Sequence, residues 1–171
     1  MPSIRPCPLP PQALLAKYAN AGAYTDCYST EVTRLVPHAE YVEAFYTGGL
    51  FKLERLLLGL FFSKSSTDVQ ARQLASGEIG NFAAWRVENR TTDQLLMCDI
   101  GGRTRSWLMV SASHEPTQST RLYFGSAVVP VMSRSGKPSM GFLFKALLGF
   151  HKAYSRALLG SARSRLERIG H

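Results

Sequence analysis

Residues 139–168 read SMGFLFKALLGFHKAYSRALLGSARSRLER. Set out at about 100° per residue, Leu143, Phe144, Leu147, Phe150, His151, Tyr154 and Leu158 fall within about 60° of one line. Lys145, Lys152, Arg156 and Arg163 fall on the opposite side. This spacing predicts a long two-faced helix, with Ser139 after Pro138 as its N-cap. Such a stripe needs a surface to lie on. His151 interrupts the apolar character of the stripe. A buried imidazole needs a hydrogen-bond partner, so it is either a satisfied core histidine or a polar group facing a pocket. Tyr154 poses the same choice, because its ring can pack while its hydroxyl reaches a polar atom.

The surface comes from the preceding residues, where the period is two. Phe82–Asn89, Gln94–Ile100, Arg103–Ser113 and Thr120–Val129 alternate as strands do. They are separated by turn-like stretches: residues 90–93, Gly101-Gly102, and His114–Ser119. Gly-Gly between two β runs signals a two-residue hairpin. Closely spaced strands joined by short turns make an antiparallel sheet. Alternation splits the 103–113 strand into two faces. One carries Arg103, Arg105, Trp107 and Met109, mixing Arg with large flexible residues as a ligand pocket would. The other carries Thr104, Ser106, Leu108 and Val110 and, Ser106 apart, reads as a plain core face. Period alone does not say which face meets the helix. Trp85, with Val87 beside it, is a further cavity candidate.

Further upstream, Tyr24–Leu35 reads as a strand ended by Pro37, and Glu40–Tyr46 as a short helix stopped by Gly48-Gly49. Leu50–Phe62 has helical spacing, and its second half is apolar nearly all round, as in a core helix or a lid over a ligand. Thr67 caps a short helix through Ala75, broken by Gly77 and Gly80. Pro2, Pro6, Pro8, Pro10 and Pro11 crowd the first residues. Proline fixes φ and removes amide donors, so residues 1–20 are expected to be an extended arm, a mobile tail first and an interaction peptide second. Residues 21–171 then form one domain. The fold class is α+β, an antiparallel sheet with a long C-terminal α-helix.

Composition narrows the function. A chain of 171 residues suits one domain. Its 45% hydrophobic content is ordinary, but 19% charged is low, which points to apolar surface hidden in a core, a cavity or an interface. The longest apolar run, Leu56–Phe62, is far short of the roughly 20 residues a membrane helix needs. No basic region followed by an apolar core opens the chain, so no signal peptide is expected. Cys7, Cys27 and Cys98 form no CxxC and no complete disulfide set, which favours a reduced, cytoplasmic setting. The net charge is +8, which favours anionic partners if the basic helix side is more than a solvated face.

Strand, two helices, antiparallel strands and a long final helix is the order of the helix-grip fold. On Tyr24-Thr25-Asp26, Leu53-Glu54-Arg55-Leu56, Leu122–Pro130 and Phe144–Lys152, the chain resembles the START and polyketide-cyclase-like (SRPBCC) superfamily. Within it, the chain is most similar to a bacterial branch with no activity to carry over, sometimes found behind a dinucleotide-binding domain. The resemblance covers roughly residues 22–166. It departs at Gly101–Trp107, where that branch carries an acidic, His-containing stretch before an aromatic residue. It implies a sheet wrapped around the last helix and a cavity between them for apolar or amphipathic ligands.

Catalytic signatures are few. There is no HExxH, GxSxG or Walker loop, and His38, His114, His151 and His171 show no ligand spacing, so neither metal nor cofactor is expected. Acid–base work would pair a buried His with a carboxylate, for which Asp26 and Asp99 are the strand candidates. The first functional expectation is binding of a small hydrophobic or amphipathic molecule. The cavity candidates are His151, Tyr154, Leu147, Phe144, Trp107, Arg105, Trp85 and Met109. An enzyme of cyclase or dehydratase type in the same cavity is the second. An adaptor for an acidic partner or nucleic acid through the basic helix face is the third, nucleic acid being the less expected of the two. A homodimer stays open.

Overall fold

The computed structural model describes residues 3–49, 67–114, 117–129, 131–132, 138–139 and 142–169, with the side chains of 131–132, 138–139, 142–151 and 169 left aside. The elements in chain order are β1 (Arg5–Pro6), α1 (Ala16–Asn20), β2 (Tyr24–Val32), α2 (His38–Tyr46), α3 (Asp68–Ser76), β3 (Asn81–Phe82), β4 (Trp85–Arg90), β5 (Gln94–Asp99), β6 (Thr104–Ser113), β7 (Ser119–Val128), β8 (Val131–Met132), β9 (Pro138–Ser139) and α4 (Phe142–Ile169). The helix expected over Leu50–Phe62 lies outside the described residues.

The main sheet has seven strands in the order β1-β2-β7-β6-β5-β4-β3, all neighbours antiparallel. The first long strand thus pairs with the last, and β4 to β7 form a meander beside it. On one face Tyr28, Val32, Leu95, Met97, Leu108, Leu122 and Phe124 share a core with α2, α3 and the second half of α4. In α4, Ser155, Leu158, Leu159, Ala162 and Leu166 are buried at spacings of three and four, one face of a 3.6-residue period. The helix packs on α2, β2 and β7, and Lys152 and Arg156 face outward. Arg163 does not: its side chain is mostly buried and donates to Glu167 at 2.9 Å.

Local chemistry sets several boundaries. Thr67 Oγ1 accepts from the Gln70 amide while the Gln70 side chain accepts from the Thr67 amide, a capping box that starts α3. Gly77 ends it in the left-handed conformation, φ 86°. The guanidinium of Arg90 then donates to the last carbonyls of α3, those of Leu74 and Ala75. A bulge between Val87 and Asn89 brings Arg90 opposite Leu95, on the helix-covered face, and leaves Glu88 as the extra residue on the other face.

Several boundaries differ from the expected ones; β2 ends at Val32 rather than Leu35, and α2 begins at His38 rather than Glu40. The β5–β6 connection is a four-residue turn rather than a two-residue one, because Asp99 Oδ1 accepts from the amides of Arg103 and Thr104 at 2.7 and 2.8 Å. Ser139 does not cap the last helix; it pairs with Val131 in the β8–β9 ladder, and the helix begins at Phe142. The run 82–89 breaks at Ala83, whose φ is 52°.

The largest correction concerns the arm. Residues 3–20 are not a free tail. Arg5 and Pro6 pair with Ser29 and Tyr28, and the following residues cross the second face of the sheet. There Ala13, Leu15, Cys27, Leu96, Trp107, Met109 and Ala127 are buried together, with Cys7, Leu9, Leu14 and Tyr18 packed around them. Gln94 ties this seam. Its Oε1 accepts from the Leu14 amide and from Trp107 Nε1, both at 2.9 Å, and its Nε2 donates to the Gln12 carbonyl at 3.1 Å. Below, Glu88 accepts from Lys17 and Tyr18, and Arg105 donates to Glu88 and Tyr18.

Gly125 makes this close approach workable. A Cβ there would stand 2.8 Å from the Asp26 carbonyl oxygen and 3.0 Å from both Leu15 Cδ2 and Trp107 Cε3. We expect Gly125→Ala to destabilise the protein by about 1–3 kcal/mol through overpacking. A urea midpoint unchanged from wild type would show that arm and sheet are not seated this closely.

Candidate ligand-binding cavity

Between the sheet and α4 lies a cavity of about 220 Å³. Its floor comes from β6 and β7, which place Thr104, Ser106, Phe124, Ser126 and Val128 toward the helix. Trp85 of β4 and Phe45 and Tyr46 of α2 form walls, and Tyr154, Ser155 and Leu158 of α4 close it from above. The walls are aromatic, and hydroxyl groups are interspersed among them. That mixture suits a small ligand with an apolar body and one or two polar atoms.

The polar groups differ in their commitments. Ser126 is held to β2: its amide and its hydroxyl both donate to Asp26 Oδ1, at 3.0 and 2.6 Å. Ser155 is only 1% exposed, and its Oγ has no hydrogen-bond partner among the described residues. A buried hydroxyl left unpaired costs roughly 1–3 kcal/mol, so Ser155 Oγ, shielded at the helix side of the cavity, gains from any partner that a small side-chain rotation brings within reach. Deeper in the core, Tyr41 is fully buried and donates to the Tyr123 carbonyl at 3.0 Å. Burial holds its hydroxyl pKa well above the ordinary value, so it remains a neutral donor.

Of the residues proposed from sequence, Tyr154 and Trp85 line this cavity. Trp107 and Met109 do not. Both lie on the opposite face under the arm, buried against Leu15 and its neighbours. Arg105 borders the cavity, but its guanidinium is committed to Glu88, Tyr18 and the Gly102 carbonyl on the arm side. Its charge also sits over the Tyr18 ring, 4.6 Å from the centroid. The face that mixed Arg with large residues is thus the arm-covered one, and the plainer face with Thr104 and Ser106 borders the cavity. Phe144, Leu147 and His151 fall within α4, and their side chains lie outside the described residues. Asp99 holds a turn, and Asp26 braces Ser126.

Ser155 and Ser126 escaped the sequence reading because a lone serine on a helix or strand carries no signal of its own. Ser106 was the exception, as a polar residue on an otherwise apolar face.

A second and larger concavity, about 840 Å³, runs along the outer edge of β2. Cys7, Pro8, Tyr24, Asp26, Cys27 and Tyr28 line it together with Lys152 and Arg156 of α4. Burial, with the nearby Asp26 and Tyr28, pushes the Tyr24 hydroxyl up to about 12.

The architecture is therefore α+β, an open antiparallel sheet with a C-terminal helix across one face. No helix among the described residues is long and apolar enough to cross a membrane. No protein-family model and no curated protein matches the chain.

Proposed function

We propose that this chain binds a small hydrophobic or amphipathic molecule between the sheet and the C-terminal helix, and that its fold is of the helix-grip type. One observation carries the reading: a cavity between sheet and helix lined by Phe45, Tyr46, Trp85, Phe124 and Tyr154, with the buried Ser155 hydroxyl, which has no partner among the described residues, at its helix side. The strand order, with the first long strand beside the last, supports the fold assignment.

Volume narrows the ligand. An apolar cavity of about 150 Å³ already holds benzene, while drug-sized ligands need roughly 300–1,000 Å³. At about 220 Å³ the site suits a single substituted ring or a short branched chain. Ser155 would bond its hydroxyl or carbonyl, and the Phe45, Trp85 and Phe124 rings would contact its body.

Mass spectrometry of a solvent extract from the purified protein tests this, with calorimetric titration of simple phenols beside it. The expected result is a ring-sized compound that co-purifies, or saturable heat with one of the phenols. Either should be lost in Ser155→Leu, which fills the space, while Ser155→Ala stays as stable as wild type and binds more weakly. No extractable compound together with no saturable heat would overturn the proposal.

A further inference from the structure

Cys7 and Cys27 face one another across the junction of the arm and β2. The ladder that pairs Arg5 with Ser29 and Pro6 with Tyr28 puts them directly opposite, and the Cys7 amide donates to the Cys27 carbonyl at 3.0 Å. Their sulfurs are 3.3 Å apart, both as free thiols. Directly opposed antiparallel residues have Cα atoms about 4.5–5.5 Å apart, inside the roughly 4.4–6.8 Å that a disulfide spans. Only a small rotation of the side chains separates this pair from a bond.

We infer that Cys7 and Cys27 form a reversible dithiol–disulfide pair that takes oxidising equivalents from a hydroperoxide and fastens the arm to the sheet. The two sulfurs are not equivalent. Both border the large cleft along β2, but Cys27 is buried whereas Cys7 is half-buried, so a small peroxide entering the cleft meets Cys7 first. The hydrogen bond from Cys27, opposed by burial and aided by Ser29 and the Arg121 charge, lowers the Cys7 thiol to about 6, while Cys27 is raised. Cys7 is therefore the attacking thiolate and Cys27 the resolving thiol.

In the first step Cys7 Sγ attacks the O–O bond, giving a sulfenic acid and releasing an alcohol from an alkyl hydroperoxide, or water from hydrogen peroxide. Cys27 Sγ then attacks the sulfenic sulfur, and its proton leaves with the displaced hydroxide as water. Two thiols lose two electrons and two protons, and the peroxide bond is reduced. A dithiol reductant reverses the sequence by thiol–disulfide exchange.

Cys98 is a built-in control. It is fully buried, and its thiol donates to its neighbour's carbonyl, that of Asp99.

The test treats the folded full chain with stoichiometric hydrogen peroxide, followed by intact-mass measurement, peptide mapping without reduction, and thermal melting. The expected product is lighter by two hydrogens, contains a peptide linking Cys7 to Cys27, and reverts with dithiothreitol. Cross-linking the loop between them should raise Tm by about 6–10 °C. Cys98→Ser should behave like wild type, and Cys7→Ser and Cys27→Ser should form no link while remaining folded. Over-oxidation of Cys7 without a linked peptide would overturn the pairing. A linked peptide with an unchanged or lower Tm would overturn its role as a fastening.

Discussion

Trp107→Ala should cost about 3–5 kcal/mol, the range for deleting a large buried aromatic. The indole is fully buried on the arm side of the sheet. Its ring packs beside Tyr123 and shares a buried cluster with Leu15, and its Nε1 donates to Gln94 Oε1. Removing it opens a cavity beneath the arm and breaks one link of the Gln94 seam, so the arm should loosen before the rest of the domain unfolds. Hydrogen exchange checks this: amides of residues 7–18 should lose protection first in the variant. Equilibrium denaturation gives the total. A loss below about 1 kcal/mol would mean that the arm-covered face contributes little to stability, contrary to the packing described.

Acid should destabilise the protein in two separate ranges, and the upper one belongs to His38. This residue opens α2 directly after Pro37, 7% exposed. Burial lowers its pKa to about 4 despite a hydrogen bond to the Leu108 carbonyl. Its Nε2 has no partner among the described residues. In the unfolded chain a histidine takes its proton near 6.5. Between those two pH values the unfolded state holds a proton that the folded state refuses. The contribution is therefore complete above about 6.5, falls as the pH drops, and is gone by about 4, a loss on the order of 3 kcal/mol.

Glu88 acts lower. Burial opposes its ionisation, but hydrogen bonds from Lys17 and Tyr18 and the charge of Arg105 prevail and hold its carboxyl at about 2, against an ordinary value of 4.5. Its contribution is present above 4.5 and disappears as the pH falls through 2. Urea midpoints measured from pH 7.5 to 4 in wild type and His38→Gln check the upper range. The wild type should lose stability across it, and the variant should be nearly flat. Parallel curves would show that His38 is not buried as a neutral ring.

Much of the framework was legible because it depends on local chemistry. Thr67 and Gln70 make a capping box wherever a helix follows, and Gly77 supplies the left-handed stop. The two-residue period from Phe82 to Val129 yielded a meander, with boundaries displaced where a single side chain (Asp99) or a bulge (Glu88) intervenes. What stayed hidden depends on partners far along the chain. Alternation separates Trp107 from Ser106, but only the path of the arm decides which face is covered by it and which by the helix. Hints existed in Gly125 inside a strand, Gln94 beside an apolar run, and Leu9, Leu14 and Leu15 among the prolines of the arm. Each is intelligible only when the arm lies across the sheet. The same holds for Cys7 and Cys27, whose separation in sequence conceals their register.

The two tryptophans report on the two faces, Trp85 at the cavity and Trp107 beneath the arm. Titration with 4-bromophenol, a ring-sized ligand that quenches indole fluorescence on contact, is therefore the most direct test that binding occurs under the helix. With Trp85 as the sole tryptophan in Trp107→Phe, quenching should be saturable and should vanish on adding Ser155→Leu. In Trp85→Phe, which retains Trp107, it should be weak and linear. Saturable quenching of Trp107 with Trp85 unaffected would place the binding face on the wrong side of the sheet and contradict the account.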